Sequence, residues 1–259
     1  MNVKAVVKVM NFHALLRVEK SRNQAILYSN MQSELESMMS IIMNNRALKL
    51  DKKIQTPNPN LPVLKIYLGS DFGFCGSVNS SVSNVLAKDT TSDKIVVGKK
   101  LRNAKDAFVK VSFEEYLNDF NTVEKYIDEA VYEKKWSAID VVYNRFYNIS
   151  NIKQVTERIF PLNLEKRNDK YSLDDFVFET DVTTLIENMM ALYLKYEIKI
   201  AATSSYASEN TMRQNATTES LKKLDEREAE ELRVERKIKT QKSFEKTIDS
   251  YIKQKSLKG

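Results

Sequence analysis

After Pro161 the chain contains neither glycine nor proline until its last residue, Gly259. Helix interiors exclude those two residues above all others, so a run approaching 100 residues without either predicts a very long helix. The apolar spacing agrees. From about residue 181 to 256, apolar residues recur at helical steps, first as a dense seam through Leu185, Met189, Leu192 and Tyr196. Beyond Ala207 the seam thins to Leu221, Leu224, Leu232, Ile238, Phe244, Ile248 and Ile252, with charges between. A helix of about 75 residues is roughly 110 Å long, more than one domain of this size can bury. Its sparse, charged distal half suits a rod touched by other chains on several sides.

The N-terminal segment, residues 1–48, repeats the pattern. Val3, Val6, Met10, Ala14, Val18, Ala25, Tyr28, Met31, Leu35, Met38 and Ile42 fall on one helical stripe, with a single seven-residue step across Ser21. That length again exceeds an ordinary globular helix and calls for a coiled-coil partner. Two long terminal helices are expected to pair antiparallel, the longer one projecting alone.

Between them the period changes. DKKIQTPNPNLP, residues 51–62, holds three of the four prolines and marks a break. VLKIYLG, KIVVGKK and SAIDVVYNRFYN read as strands, and SVSNVLAKD and FEEYLNDFNTVEKYIDEAVYEK as helices. Strands alternating with helices predict a parallel-sheet α/β unit over residues 62–165. KQVTERIFPL and DDFVFET read as extended edge segments leaving it. Residues 49–61 and 166–180 are the linkers, and 181–257 with 1–48 the coiled coil.

Composition excludes several function classes. The net charge of +6 is spread over both signs, which suits acidic protein surfaces and not the clustered bases of a nucleic-acid binder. One cysteine precludes a disulfide framework or a Cys-based zinc site, and a reducing cytoplasmic setting is expected. The apolar runs are too short for a membrane span, and the basic start is too interrupted for a secretory signal.

The stretch GSDFGFCGSVNSS (69–81) resembles a phosphate loop at first sight, since it follows a strand and holds three of the five glycines. A Walker loop, however, needs GxxxxGK[ST], and this turn has no lysine. Gly69, Gly73 and Gly76 are also spaced wrongly for GxGxxG. A tight strand-to-helix turn capped by Asn79 or a serine is the better expectation. Cys75 would need a base to act as a nucleophile, and the one histidine, His13, lies on a separate helix. No catalytic residue, metal site or cofactor is expected.

The order of long helix, small α/β domain and longer helix resembles the γ subunit of F-type rotary ATPases. Ser70, Asp71, Gly73, Cys75, Gly76 and Asn79 keep the register of that family's SD-RG-LCG-G-LN turn, with Phe72 in place of its arginine. IVVGKK is similar to the family's next strand and turn, and DVVYNRFYN with a later FPL to its V-x-x-x-Y-N-x-F segment. Ala207, Ser208, Glu209, Asn210 and Arg213 are similar to its A-S-E-H-x-x-R. The family's I-T-x-A-M signature is not found in the N-terminal helix, and its last C-terminal motifs dissolve. The resemblance implies an antiparallel coiled coil with a Rossmann-like α/β domain inserted. It also implies a non-catalytic rotor inside a ring of α- and β-like ATPase subunits, cytoplasmic or peripheral at the inner face of the cell membrane. An ε-like subunit and a membrane rotor ring at the foot are the further partners implied. By matching position, Glu209, Arg213, Arg236 and Lys239 are the implied ring contacts. Four residues apart, Glu209 and Arg213 also suit a local ion pair worth about 0.2–0.5 kcal/mol. A static coiled-coil adaptor linking an ATPase to another assembly is the alternative function.

Overall fold

The uninterrupted C-terminal run folds as one 75-residue helix, and the N-terminal run as one of 42 residues. The computed structural model describes residues 3–44, 57–102, 104–162 and 181–256. Its elements, in order, are α1 (Val3–Asn44), β1 (Val63–Leu68), α2 (Val78–Lys88), β2 (Asp93–Val97), β3 (Val109–Val111), α3 (Phe113–Asn118), α4 (Asn121–Tyr132), β4 (Ala138–Asn148), β5 (Asn151–Phe160) and α5 (Val182–Ser256).

α1 lies antiparallel on α5. Lys4 meets Asp225 and Glu228 near one end of α1, and Gln32 meets Tyr193 and Glu197 further along it. The seam of α1 runs through Asn11, Ala14, Val18, Ser21, Ala25, Tyr28, Gln32, Leu35, Met39 and Ile42, of which Ala14, Ser21, Met39 and Ile42 are buried and the rest half-buried. These steps of three and four are heptad spacing, the period of a left-handed coiled coil. The apolar pattern located most of this stripe but misread its polar members. Ser21 occupies the apparent gap, and Gln32 and Met39 take the places expected for Met31 and Met38. Val3, Val6 and Met31 are exposed. A similar shift occurs on α5, where Leu192 is exposed while Ile186, Met190, Leu194 and Ile198 are buried.

The sheet has the order β3-β2-β1-β4-β5. Four strands are parallel, with Ile66 level with Ile95 and Val141. β1, β2 and β4 alternate between two cores, as the two-residue strand period requires. Leu64, Ile66, Leu68, Ile95, Val97, Ile139 and Val141 face α4, α5 and the lower end of α1. Tyr67, Val96 and Val142 face Val82 and Leu86 of α2.

Three local expectations are corrected. KQVTERIF does not leave the sheet; it lies in β5, which pairs antiparallel with β4 at the edge. The long helix expected over 113–134 is broken into α3 and α4, where Asp119 is extended and its carboxylate accepts the Asn121 N–H at 3.0 Å. β3 is a short strand that apolar periodicity did not flag. DDFVFET lies outside the described residues.

The projecting end of α5 needs little explanation. α1 reaches no further than Asp225 and Glu228, and from Asp225 to Lys253 every α5 side chain is exposed. Among the described residues, no helix is long and apolar enough to cross a membrane.

Candidate functional site: the signature turn and its helix

Polar residues from four separate segments meet where β1 ends. Gly69 extends β1 by one bond, its N–H donating to the Val97 carbonyl at 2.8 Å. The next residues close a tight knot. The Ser70 N–H donates to Asn79 Oδ1 at 2.9 Å, and Asn79 Nδ2 donates back to Ser70 Oγ at 2.7 Å. Ser70 Oγ donates in turn to the Phe72 carbonyl at 2.8 Å. Asn79 therefore does not cap α2, as the sequence suggested, and Ser77 at the N-cap makes no side-chain bond either. Gly76 takes a positive φ of +58°, which lets the chain turn into α2.

Asp71 holds the neighbouring loops. Its carboxylate accepts N–H bonds from Lys99, Phe113 and Glu114, each at 2.9 Å. Two of these are the free donors of the α3 N-terminus, which a carboxylate satisfies well. This geometry opposes phosphate binding at the turn. A buried carboxylate already occupies the cluster of donors that an anion would use, and would repel it.

Cys75 is buried within the knot, accepting from Asn79 Nδ2 at 3.2 Å. Burial pushes its thiol pKa up, and the nearby Ser70 bond opposes this less strongly. A buried thiol held protonated is a poor nucleophile, and Cys75 packs inside the turn.

The α5 residues singled out by the sequence reach this knot from the other side. Arg213 donates to the Gly73 carbonyl at 3.3 Å and to Asn210 Oδ1 at 2.9 Å, and pairs with Glu209. Glu209 and Arg213, implied by the resemblance as ring contacts and by their spacing as a local ion pair, are buried in the chain and do form that pair on α5. The physical reason is the position of their turn of α5, which lies between the turn that follows β1 and α1. Burial raises the Glu209 pKa, with Arg213 pulling the other way.

Asn144 of β4 ties the remaining segments together. Its Nδ2 donates to the Val78 carbonyl at 2.9 Å, and its Oδ1 accepts from Ser81 Oγ at 2.9 Å. Its own carbonyl accepts from Ser208 Oγ at 3.0 Å. Beside it, the Phe146 N–H donates to Ser204 Oγ at 2.8 Å. Asn144 and Ser204 were not singled out from the sequence. Asn144 does stand inside the strand motif, and an asparagine in a buried strand is itself a signal, because its amide must find partners.

Arg236 and Lys239 lie far from this knot on the exposed end of α5. Lys239 pairs with Glu235 at 3.0 Å on its own helix, and Arg236 borders a shallow cleft with Lys237, Thr240, Gln241 and Phe244. His13 and Arg17 of α1 face Phe72, Gly73 and Phe74 across an open cleft of about 450 Å³. Among the described residues, no group of three or more His, Cys, Asp or Glu side chains is placed to hold a metal ion. The knot thus joins strand ends, turn and helix mechanically.

A family model described as ATP synthase matches residues 1–248 of the chain. The ATP synthase gamma chain of Rickettsia felis is 27% identical over 235 residues, covering 82% of this chain and 79% of that protein. That of Clostridium perfringens strain 13 is 24% identical over 244 residues, covering 87% and 83%. Among solved structures, the fold is similar to a chain of the Tetrahymena thermophila mitochondrial ATP synthase central stalk and c-ring. The TM-score is 0.57 at 18% identity, over 83% of this chain and 99% of that one.

Proposed function

The chain belongs to the ATP synthase gamma family, and from that premise we propose that it is the central-shaft, or rotor, subunit of an F-type ATPase. The observation that carries this reading is the geometry of α5. Its first half is locked to the α/β domain, ending in the knot around Ser70, Asp71, Asn144 and Arg213, while residues 225–253 project with every side chain exposed. A lone helix that leaves Leu232, Ile238, Phe244, Ile248 and Ile252 in water is poorly stabilised by itself and needs a surrounding sleeve. A ring of α- and β-like subunits supplies one.

In this reading, residues 1–48 and 181–257 form the shaft and residues 62–165 the foot. The chain performs no chemistry; partner subunits hold and hydrolyse or make ATP. A charged, asymmetric rod in a near-symmetric ring gives each surrounding site a different contact set, which biases each site's conformational equilibrium. We assign ring contacts to Arg236 and Lys239, which lie on the exposed length of α5, and load transfer from shaft to domain to the buried Glu209 and Arg213. An ε-like subunit and a membrane rotor ring are the partners proposed for the foot, with the whole peripheral to the membrane.

The test is assembly of the chain with its ring subunits and observation of a bead fixed to the α/β domain during ATP turnover. Stepwise rotation of the bead is expected. ATP turnover with a bead that never rotates would overturn the rotor assignment and favour the static adaptor.

A further inference from the structure

Two polar residues in the α1 seam reach across to α5. Asn11 Nδ2 donates toward Thr217 Oγ1 at 2.9 Å, Thr218 Oγ1 at 2.8 Å and the Gln214 carbonyl at 3.1 Å. Three heptads along, Gln32 Nε2 donates to Glu197 Oε1 at 2.5 Å and reaches Tyr193 Oη at 3.3 Å. The Tyr193 hydroxyl lies 3.0 Å from the same Glu197 oxygen.

The seam between these two stations says little about alignment. On α1 it consists of Ala14, Val18, Ser21, Ala25 and Tyr28; Ser21 turns its hydroxyl back to the Arg17 carbonyl of its own helix, and only Tyr28, beside the Tyr196 ring, is large. Over the matching stretch α5 buries Ala201, Ala202, Thr203, Ser205 and Ala207. The larger buried residues of this stretch, Ile198, Glu209 and Arg213, are engaged in the domain core, with each other or with the Gly73 carbonyl. Apart from Tyr28, the side chains of α1 therefore meet small partners that pack nearly as well after a shift of one heptad. The ion pairs of Lys4 with Asp225 and Glu228 are no better as markers, because both acids are more than half exposed and other acids line the same helix. α5 cannot move, being tied to the sheet through Ser208 and Arg213. α1 has α5 as its main packing partner and is the element able to slide.

We propose that Asn11 and Gln32 are register pins, which fix where α1 sits along α5 and so convert a slidable helix pair into a shaft of one defined length. Sliding by one heptad moves α1 about 10 Å. It withdraws Asn11 from Thr217 and Thr218 and leaves the Glu197 carboxylate without its amide donor. That site is already unfavourable for a charge: burial, with Glu157 and Glu36 nearby, raises the Glu197 pKa, while the Tyr193 bond and Arg145 oppose this. Polar residues at seam positions specify coiled-coil register in this way, at a cost in stability. The inference rests on the two helices alone, whatever surrounds them.

The test uses the full chain with Cys75→Ser and spin labels at Lys20→Cys and Lys237→Cys, both exposed. The chain without further change, and each of Asn11→Leu and Gln32→Leu alone, should give one narrow distance. The double variant should add a second population displaced by about 10 Å, with helical circular dichroism retained and the thermal midpoint unchanged or higher. Moving the upper pin by one heptad, as Asn11→Val with Val18→Asn and Gln32→Leu, should move the main distance by the same amount. A double variant that keeps the single native distance overturns the proposal. It would assign register to the Tyr28–Tyr196 contact and the packing of Met39 and Ile42. Loss of helical signal in the double variant also overturns it, since the two residues would then carry stability and not alignment.

Discussion

Replacing Arg213 with alanine should loosen the joint between shaft and domain, by an amount that depends on pH. The Arg213 and Glu209 side chains are 7% and 4% exposed, so solvent screens their interaction little. Removing one partner of a buried pair costs about 3–5 kcal/mol, because the other is left charged and unpaired. The Gly73 carbonyl and Asn210 lose a donor as well, and each such loss costs about 1–3 kcal/mol where water cannot replace it. These terms overlap, and about 4 kcal/mol at neutral pH is the expected total. The sign of the pH dependence follows from Glu209. Its pKa is already raised by burial, and Arg213 is the chief influence lowering it, so Arg213→Ala raises it further. A carboxyl whose folded pKa lies above its unfolded value destabilises the fold when ionised. The loss should therefore be greatest above the folded pKa and shrink as pH falls through it.

Urea unfolding of the full chain between pH 5 and 8 measures this, and the sole cysteine adds a local readout. Cys75 is buried in the same knot, so its labelling by a thiol reagent should accelerate in Arg213→Ala under native conditions. The paired replacement of Glu209 and Arg213 by Met and Leu should recover most of the stability, since no buried charge remains. A loss below about 1 kcal/mol that does not vary with pH, with Cys75 labelling unchanged, would refute the assignment of this pair as the anchor.

Other outcomes follow from the same geometry. Gly98→Ala should destabilise by about 2 kcal/mol or more, since φ is +114° there and a Cβ would sit 2.8 Å from the Gly69 and Ser70 backbone. Gly73→Ala should be nearly silent in the same thermal melt, because nothing lies within 4 Å of its Cβ position. The Asp89 carboxyl, although burial works against its charge, is held well below the usual range by bonds from Ser92, Tyr67 and Lys65. Its contribution is present above the ordinary aspartate pKa and is lost as pH falls toward the depressed folded value; Tyr67→Phe should reduce it, seen as a shallower acid-side slope of stability against pH. Truncation after Glu231 should leave the thermal midpoint of the isolated chain unchanged, since every side chain from Asp225 to Lys253 is exposed, while abolishing rotation in the assembled complex.

The turn over residues 69–81 shows how far sequence reading reaches. Its missing lysine was enough to argue against a Walker loop, because that chemistry needs a defined residue at a defined spacing. That Asp71 fills the donor cluster instead was not legible, since Lys99, Phe113 and Glu114 lie 28 to 43 residues away along the chain. The seam of α1 makes a similar point. Apolar spacing placed Ala14, Val18, Tyr28 and Ile42, but Asn11 and Gln32 were invisible to a method that counts hydrophobic side chains.

Local chemistry alone determined the two long helices, because the absence of Gly and Pro and a steady three-four period act within a few residues of chain. It determined most of the strands too, as short β-branched runs bounded by turns. Tertiary structure decided everything that depends on two distant segments meeting. It turned β5 back along β4, broke the helix at Asp119, and placed Glu209 and Arg213 inward against Gly73 rather than outward. A helix presents side chains all around its axis, and which face is buried depends on what packs there. Here the α/β domain covers one side of α5 up to about Arg213 and α1 another up to about residue 224, and the remainder of its length is left for partners.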